Sequence, residues 1–190
     1  MRTFIAIPLP VEVREFLRVI QNQLKACGSD VKWVEPENIH LTLKFLGEIS
    51  DDQLSQVNVI LEELSKDILS FTVAICSIGA FPGITSPRVI WAGIDKGDRE
   101  VKDTAKRLEE RLSLIGIPKE ERGFSSHITI GRTRSGLNLD KLAGGLEKIS
   151  LLDKDQRREF QASKITLFKS TLTPKGPIYA TLKEASLKTN

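Results

Sequence analysis

His40-Leu41-Thr42-Leu43-Lys44 and His127-Ile128-Thr129-Ile130-Gly131 are one phrase written twice in a chain of 190 residues. They use both of its histidines, and each histidine is followed two places later by a threonine in an apolar setting. Such alternation reads as β-strand, in which residues i and i+2 share a face. Each strand therefore presents an imidazole and a hydroxyl on one side and aliphatic groups on the other. In the first, His40, Thr42 and Lys44 are expected on one face and Leu41, Leu43 and Phe45 on the opposite one.

The flanks of the two phrases also match. A β-rich stretch at Phe4–Ile7 leads through a helical pattern to His40, and one at Ile90–Ile94 leads through another to His127, with 33 positions from Ile7 to His40 and from Ile94 to His127. The histidines themselves stand 127 − 40 = 87 positions apart. This periodicity predicts an α+β fold: a two-lobed, pseudo-symmetric duplication of a β-α-β-α-β unit, with mixed sheets, helices outside and the active cleft between the lobes. The expected organisation is a single domain over residues 1–190, with lobe repeats over about 1–82 and 88–172 and a C-terminal strand at 177–187.

Within this frame, Val13, Phe16, Leu17, Ile20 and Leu24 mark one apolar helical face, closed by Gly28. Ser50-Asp51-Asp52-Gln53 has the form of a capping box at the head of a second helix carrying Leu54, Val57, Leu61, Leu64 and Ile68. Val101, Ala105, Leu108, Leu112 and Ile115 mark a third, and a weaker fourth spans Leu142 to Leu151 with Gly144 and Gly145 inside it. Strands are expected near 31–34, 40–46, 71–79, 88–94, 127–133, 160–170 and 178–187, with a hairpin loop at 173–177.

Composition bounds the function. Hydrophobic residues make up 40% of the chain, enough for a core, and 28 basic against 25 acidic residues leave a net charge of +3, which permits a polyanionic partner without demanding one. Cys27 and Cys76 are 49 positions apart, form no metal-binding spacing, and read as buried small apolar groups in a reducing compartment. No run approaches the ~20 apolar residues of a membrane span, and the N-terminal apolar run meets Pro8 and Pro10 too soon for a signal segment. A cytoplasmic protein without metal or cofactor is expected. Trp33 and Trp91 read as core or lobe-interface aromatics, and Lys44, Arg157 and Arg158 as solvated charges.

Two imidazoles facing each other across a cleft suit one task in particular. A group with an ordinary pKa near ~6.5 exists in both forms at neutral pH, so a pair can act as base and acid in one turnover. Phosphodiester displacement needs both roles, with Thr42 and Thr129 donating to the non-bridging oxygens, where charge builds up. Arg132 is a candidate phosphate ligand, and Arg134 follows it. Arg132 lies five residues after His127, an odd number, so it reaches the cleft only if the strand bends or ends near Gly131.

These residues resemble the 2H phosphoesterase superfamily, named for two H-x-T-x motifs, and within it the RNA 2′,3′-cyclic phosphodiesterases, also called 2′-5′ RNA ligases. FIAIPLP at 4–10, WVEPENIHLTLKFLGEI at 33–49, GAFPGITSPRVIWAGI at 79–94 and FSSHITIGRTR at 124–134 carry the resemblance in order and spacing. It implies metal-independent hydrolysis of an RNA terminal 2′,3′-cyclic phosphate to a 2′-phosphomonoester, on ends such as tRNA fragments, and possible reverse 2′-5′ ligation. It also implies His40 as proton donor to the leaving 3′ oxygen, His127 as acceptor from water, and Arg132 as phosphate ligand. A proline that often precedes the second histidine in relatives is here Ser126. The spacing alone does not say which histidine is the acid. A monomer is expected, and the alternative reading is a non-catalytic module that binds RNA ends or nucleotides.

Overall fold

The chain builds two sheets and trades strands between them. A computed structural model describes residues 1–121, 123–152, 154–174 and 176–189. The first sheet has the order β3-β1-β8-β9, formed by His40–Glu48, Arg2–Pro8, Lys164–Thr173 and Gly176–Ser186. The second has the order β2-β6-β5-β4-β7, formed by Val31–Trp33, His127–Thr133, Val89–Ile94, Phe71–Phe81 and Arg158–Ala162. Helices α1 (Val11–Lys25), α2 (Asp51–Asp67), α3 (Asp98–Ser113) and α4 (Leu139–Lys148) complete the architecture.

Each half begins with the same motif. β1 runs into α1 and returns as β3, with Pro8 opposite His40; β5 runs into α3 and returns as β6, with Gly93 opposite His127. Strands of each half then join the other sheet, as β2 already does by pairing with β6. β4 from the first half pairs with β5, and β8 from the second half pairs with β1, so each sheet holds strands of both halves.

The sheets are antiparallel in every ladder, not mixed. The cause is the path after each helix. A helix alone would carry the chain back and start a parallel neighbour. Here β3 and β6 do not follow their helices directly but begin beside the ends of β1 and β5 and run the opposite way.

Two expected elements also differ. The stretch 160–170 is two strands broken at Ser163, with β7 on β4 in one sheet and β8 on β1 in the other. The fourth helix begins three residues earlier than its apolar pattern suggests and ends at Lys148, and Gly145 sits where an added Cβ would be 2.8 Å from Cys27 Sγ. That glycine lets α4 come close to the end of α1. The hairpin loop at 173–177 joins β8 to β9; its Lys175 lies outside the described residues.

A continuous apolar cluster lies between sheets and helices. Val13, Leu17, Ile20 and Leu24 of α1 enter it with Leu61 and Leu64 of α2, Leu108 and Leu112 of α3, and Leu41, Ile75, Ile90 and Ile128 from the strands. Phe16, expected on α1's buried face, is only partly buried, and the Arg158 guanidinium lies 4.9 Å from its ring centre. Arg157 pairs with Asp95 at 2.8 Å. Cys27 and Cys76 are partly buried free thiols and not core residues. Among the described residues no helix is long and apolar enough to cross a membrane.

The capping box at Ser50 forms as the residues suggest: Ser50 Oγ accepts from the Gln53 N–H, and Gln53 Oε1 accepts from the Ser50 N–H, both at 3.2 Å. Ser50→Ala removes one of these two bonds. It is expected to cost about 1 kcal/mol, read as a fall of roughly 2–4 °C in the thermal midpoint.

Candidate active site

One extra residue follows each threonine and decides what faces the cleft. In β3, Thr42 pairs with Ala6 and Lys44 with Ile5, leaving Leu43 as a bulge. In β6, Thr129 pairs with Trp91 and Gly131 with Ile90, leaving Ile130 as a bulge. From each histidine onward, burial follows the same series in both strands: partly buried, buried, partly buried, buried, buried, exposed. The sixth places are Phe45 and Arg132.

The bulge resolves the odd spacing of Arg132. An inserted residue exchanges the two faces for the residues that follow it, so Arg132 returns to the side of Thr129. Gly131 next to it makes room for Trp33, since a Cβ there would lie 2.9 Å from the indole. The same device overturns the expected direction of Lys44. It turns away from the cleft, is buried at 4% exposure, and yields the cleft side to Phe45.

The imidazoles are held alike. His40 Nδ1–H donates to the Asn38 carbonyl at 2.7 Å, and His127 Nδ1–H donates to the Ser125 carbonyl at 2.8 Å, in each case two residues back. A carbonyl only accepts, so Nδ1 carries the hydrogen in the neutral ring and Nε2 is the atom left for proton exchange. Each ring also rests on a phenylalanine. Phe4 stacks on His40 with centroids 4.7 Å apart, and Phe81 meets His127 edge-on at 5.2 Å.

Their surroundings differ. His40 also meets Tyr179 edge-on at 5.4 Å, and burial pushes its pKa below the usual value of 6.5, with the bond to the Asn38 carbonyl acting the other way. Burial raises the Tyr179 phenol above its usual value, opposed by the charges of Arg132 and Arg2, so its hydroxyl stays protonated at neutral pH.

A cavity of about 610 Å³ brings together Phe4, His40, Thr42 and Tyr179 from the first sheet with Thr129 and Arg132 from the second. His127 is not among its lining residues; it stands two residues before Thr129, on the same side of β6. Among the described residues, Arg132 has no carboxylate partner and the hydroxyls of Thr42 and Thr129 make no hydrogen bond. No group of three or more His, Cys, Asp or Glu is placed to hold a metal ion among them. Sequence reasoning missed Asn38, Phe4, Phe81 and Tyr179. Phe4 carried a signal, because it begins the FIAIPLP stretch that bears the family resemblance; Tyr179 carried none.

Residues 7–91 and 94–179 each match the model of the LigT like phosphoesterases. The chain belongs to that family. The two matches begin 94 − 7 = 87 positions apart, the same interval as the histidines. A Methanocaldococcus jannaschii relative named RNA 2′,3′-cyclic phosphodiesterase is 39% identical over 184 residues, covering 97% of this chain and 99% of that one. One of the same name from Aquifex aeolicus is 35% identical, covering 97% and 96%. Among solved structures, a Thermus thermophilus protein superposes with a TM-score of 0.80 at 27% identity, covering 98% of each chain. LigT of E. coli complexed with 3′-AMP shares the fold, with a TM-score of 0.79 at 24% identity, covering 98% of this chain and 97% of that one.

In this LigT-like phosphoesterase, Lys44 joins the first motif to the approach to the second. Its Nζ donates to Glu109 Oε1 of α3 and to the Pro118 carbonyl, both at 2.9 Å, and lies 3.5 Å from Glu120 Oε1. The Glu120 N–H donates to the same Glu109 oxygen at 2.6 Å, and that bond, with Lys44 next, holds the Glu109 carboxyl below the usual carboxylate value. The solvated charge expected at Lys44 is therefore a buried clamp on the segment that leads to His127. Lys44→Met leaves the Pro118 carbonyl and Glu109 without their cation. The expected cost is about 2 kcal/mol, seen as a midpoint lower by roughly 4–8 °C.

The lowered pKa of His40 has a sign that can be checked. The folded protein resists protonation at this ring more than the unfolded chain does, so stability is highest above the unfolded-state value of 6.5 and falls as pH drops through it toward the lowered folded value. Proton NMR of the ligand-free protein is expected to show His40 titrating below 6.5; a midpoint above that value would mean the ring is not desolvated as the structure has it.

Proposed function

We propose that this chain hydrolyses the terminal 2′,3′-cyclic phosphate of RNA to a 2′-phosphomonoester. The observation that carries the reading is the paired setting of the two motifs, in which both rings are anchored through Nδ1–H to a carbonyl two residues back and both keep Nε2 for proton transfer. The relatives named RNA 2′,3′-cyclic phosphodiesterase, aligned over nearly the whole chain, support it.

The steps follow from the side chains. The cyclic phosphate sits between the motifs, with the Arg132 guanidinium and the hydroxyls of Thr42 and Thr129 donating to its non-bridging oxygens. His127 Nε2 takes a proton from water as the water oxygen bonds to phosphorus. The bond from phosphorus to the 3′ oxygen breaks, and His40 Nε2–H protonates that oxygen. The 2′ ester remains. Run backwards with a 5′-hydroxyl in place of water, the same groups join two RNA ends through a 2′-5′ linkage.

The environment of His40 gives its part a condition. Burial disfavours its protonated form in the empty site, so it becomes a proton donor when the negative phosphodiester lies beside it. Cytoplasmic RNA ends fit as substrate, and two free thiols suit that compartment.

His40→Ala and His127→Ala are each expected to lower kcat on an RNA ending in a 2′,3′-cyclic phosphate by about 10²-fold or more, with chelator present and the fold retained by circular dichroism. Near wild-type turnover in either variant would remove that histidine from the chemistry, and tight binding with no turnover in the wild type would make the chain a binding module. With His40 as donor, the descending limb of kcat/KM against pH reports the free protein and falls below 6.5, while the limb of kcat lies higher because bound phosphate favours the imidazolium. An ascending limb below 6.5 that disappears in His40→Ala would make His40 the base.

A further inference from the structure

The catalytic cavity has a neighbour of nearly the same size. A second cavity of about 620 Å³ shares Val34, Asn38, Arg132, Pro177 and Tyr179 with the first, which has about 610 Å³, so the two open on either side of Arg132. Its own residues include Lys32, Trp33 and Ile178.

Lys32 and Arg132 are directly opposite one another in the β2–β6 ladder and therefore share a face. Like charges directly opposite one another are unfavourable, and among the described residues neither has a carboxylate partner. With Arg132 on the cyclic phosphate, a second anionic group beside Lys32 would offset the charge that remains. Glu35 and Glu37, on the turn after β2, also line the cavity, which confines its positive charge to the strand side. Beside Asn38, Thr173 and Tyr179, the hairpin side adds apolar surface from Pro177 and Ile178, the latter 60% exposed on β9. A cation pair next to an apolar wall matches one nucleotide, phosphate on the strands and base on the hairpin.

The chemistry of the substrate says which nucleotide. A 2′,3′-cyclic phosphate occupies both ribose oxygens of its nucleoside, so the chain can continue only through the 5′ oxygen. We propose that the second cavity is the subsite for the penultimate nucleotide of the RNA, with Lys32 on the internucleotide phosphate and Ile178 against its base. This rests on the proposed reaction and adds to it a preference for RNA over a single nucleotide.

The test compares a nucleoside 2′,3′-cyclic phosphate with a dinucleotide ending in the same group. The wild type is expected to show a lower KM for the dinucleotide. Lys32→Ala and Ile178→Ser are each expected to raise the dinucleotide KM by about fivefold or more and to leave kcat and KM for the mononucleotide unchanged, which also shows the variants are folded. An equal loss on both substrates would put the terminal nucleoside in this cavity, and no loss on either would empty it; both overturn the proposal. Binding of the mono- and dinucleotide 2′-phosphates by titration calorimetry separates the two readings. A dinucleotide preference that depends on Lys32 in a protein without turnover supports the subsite and removes the reaction, whereas turnover without that preference does the reverse.

Discussion

A bulge of one residue in each of two ladders governs the cleft. Leu43 and Ile130 are the inserted residues, each directly after the threonine of its motif. Without Ile130, Arg132 would point to the helices and the cavity would lose that cation; without Leu43, Lys44 would stand in the cleft and Phe45 in the core. Because the side-chain period of a strand is two, one added residue exchanges the faces of the residues that follow it, in β3 as far as a second shift at Leu46. The histidine and threonine lie before the bulge and are untouched. The device thus keeps the histidine–threonine pair alike in both halves while letting the position after it differ, a phenylalanine in one strand and an arginine in the other.

Buried polar groups hold the bulged strands in place. Gln21, 1% exposed on α1, donates from Nε2 to the Val34 carbonyl at 2.7 Å and to the Ile130 carbonyl at 2.9 Å, so a helix of the first half fixes the bulge of the second. Lys44 does the converse, tying β3 to α3 and to the segment before His127. The exchange of β4 and β8 between sheets acts in the same sense. Each half of the chain completes the other's sheet, so the two motifs are set relative to one another by core packing and not by a linker.

The symmetry of the motifs does not extend to their surroundings. His40 lies among Phe4, Phe168 and Tyr179, at the edge of a hairpin that walls two cavities, while Phe81 covers His127 from β4. Equal rings thus sit in unequal settings, and burial disfavours the protonated form of His40. The hairpin β8–β9 creates this difference; its counterpart in the second sheet, β7 on β4, is an isolated edge strand of five residues.

Much of this protein was legible in one dimension. Two H-x-T phrases 87 residues apart announced the duplication, and apolar alternation placed His127–Thr133 as a strand and Asp51–Asp67 as a helix behind its capping box, because strand pairing and helix capping are local events with local signatures. The tertiary structure alone decided the rest. Antiparallel pairing came from where β3 and β6 begin relative to β1 and β5, the split of 160–170 into two strands from which sheet had a free edge, and the direction of Lys44 and Arg132 from bulges that exist only when a partner strand is present to be out of register with. Alternation along one strand states which residues share a face; only the neighbouring strand determines where that alternation breaks.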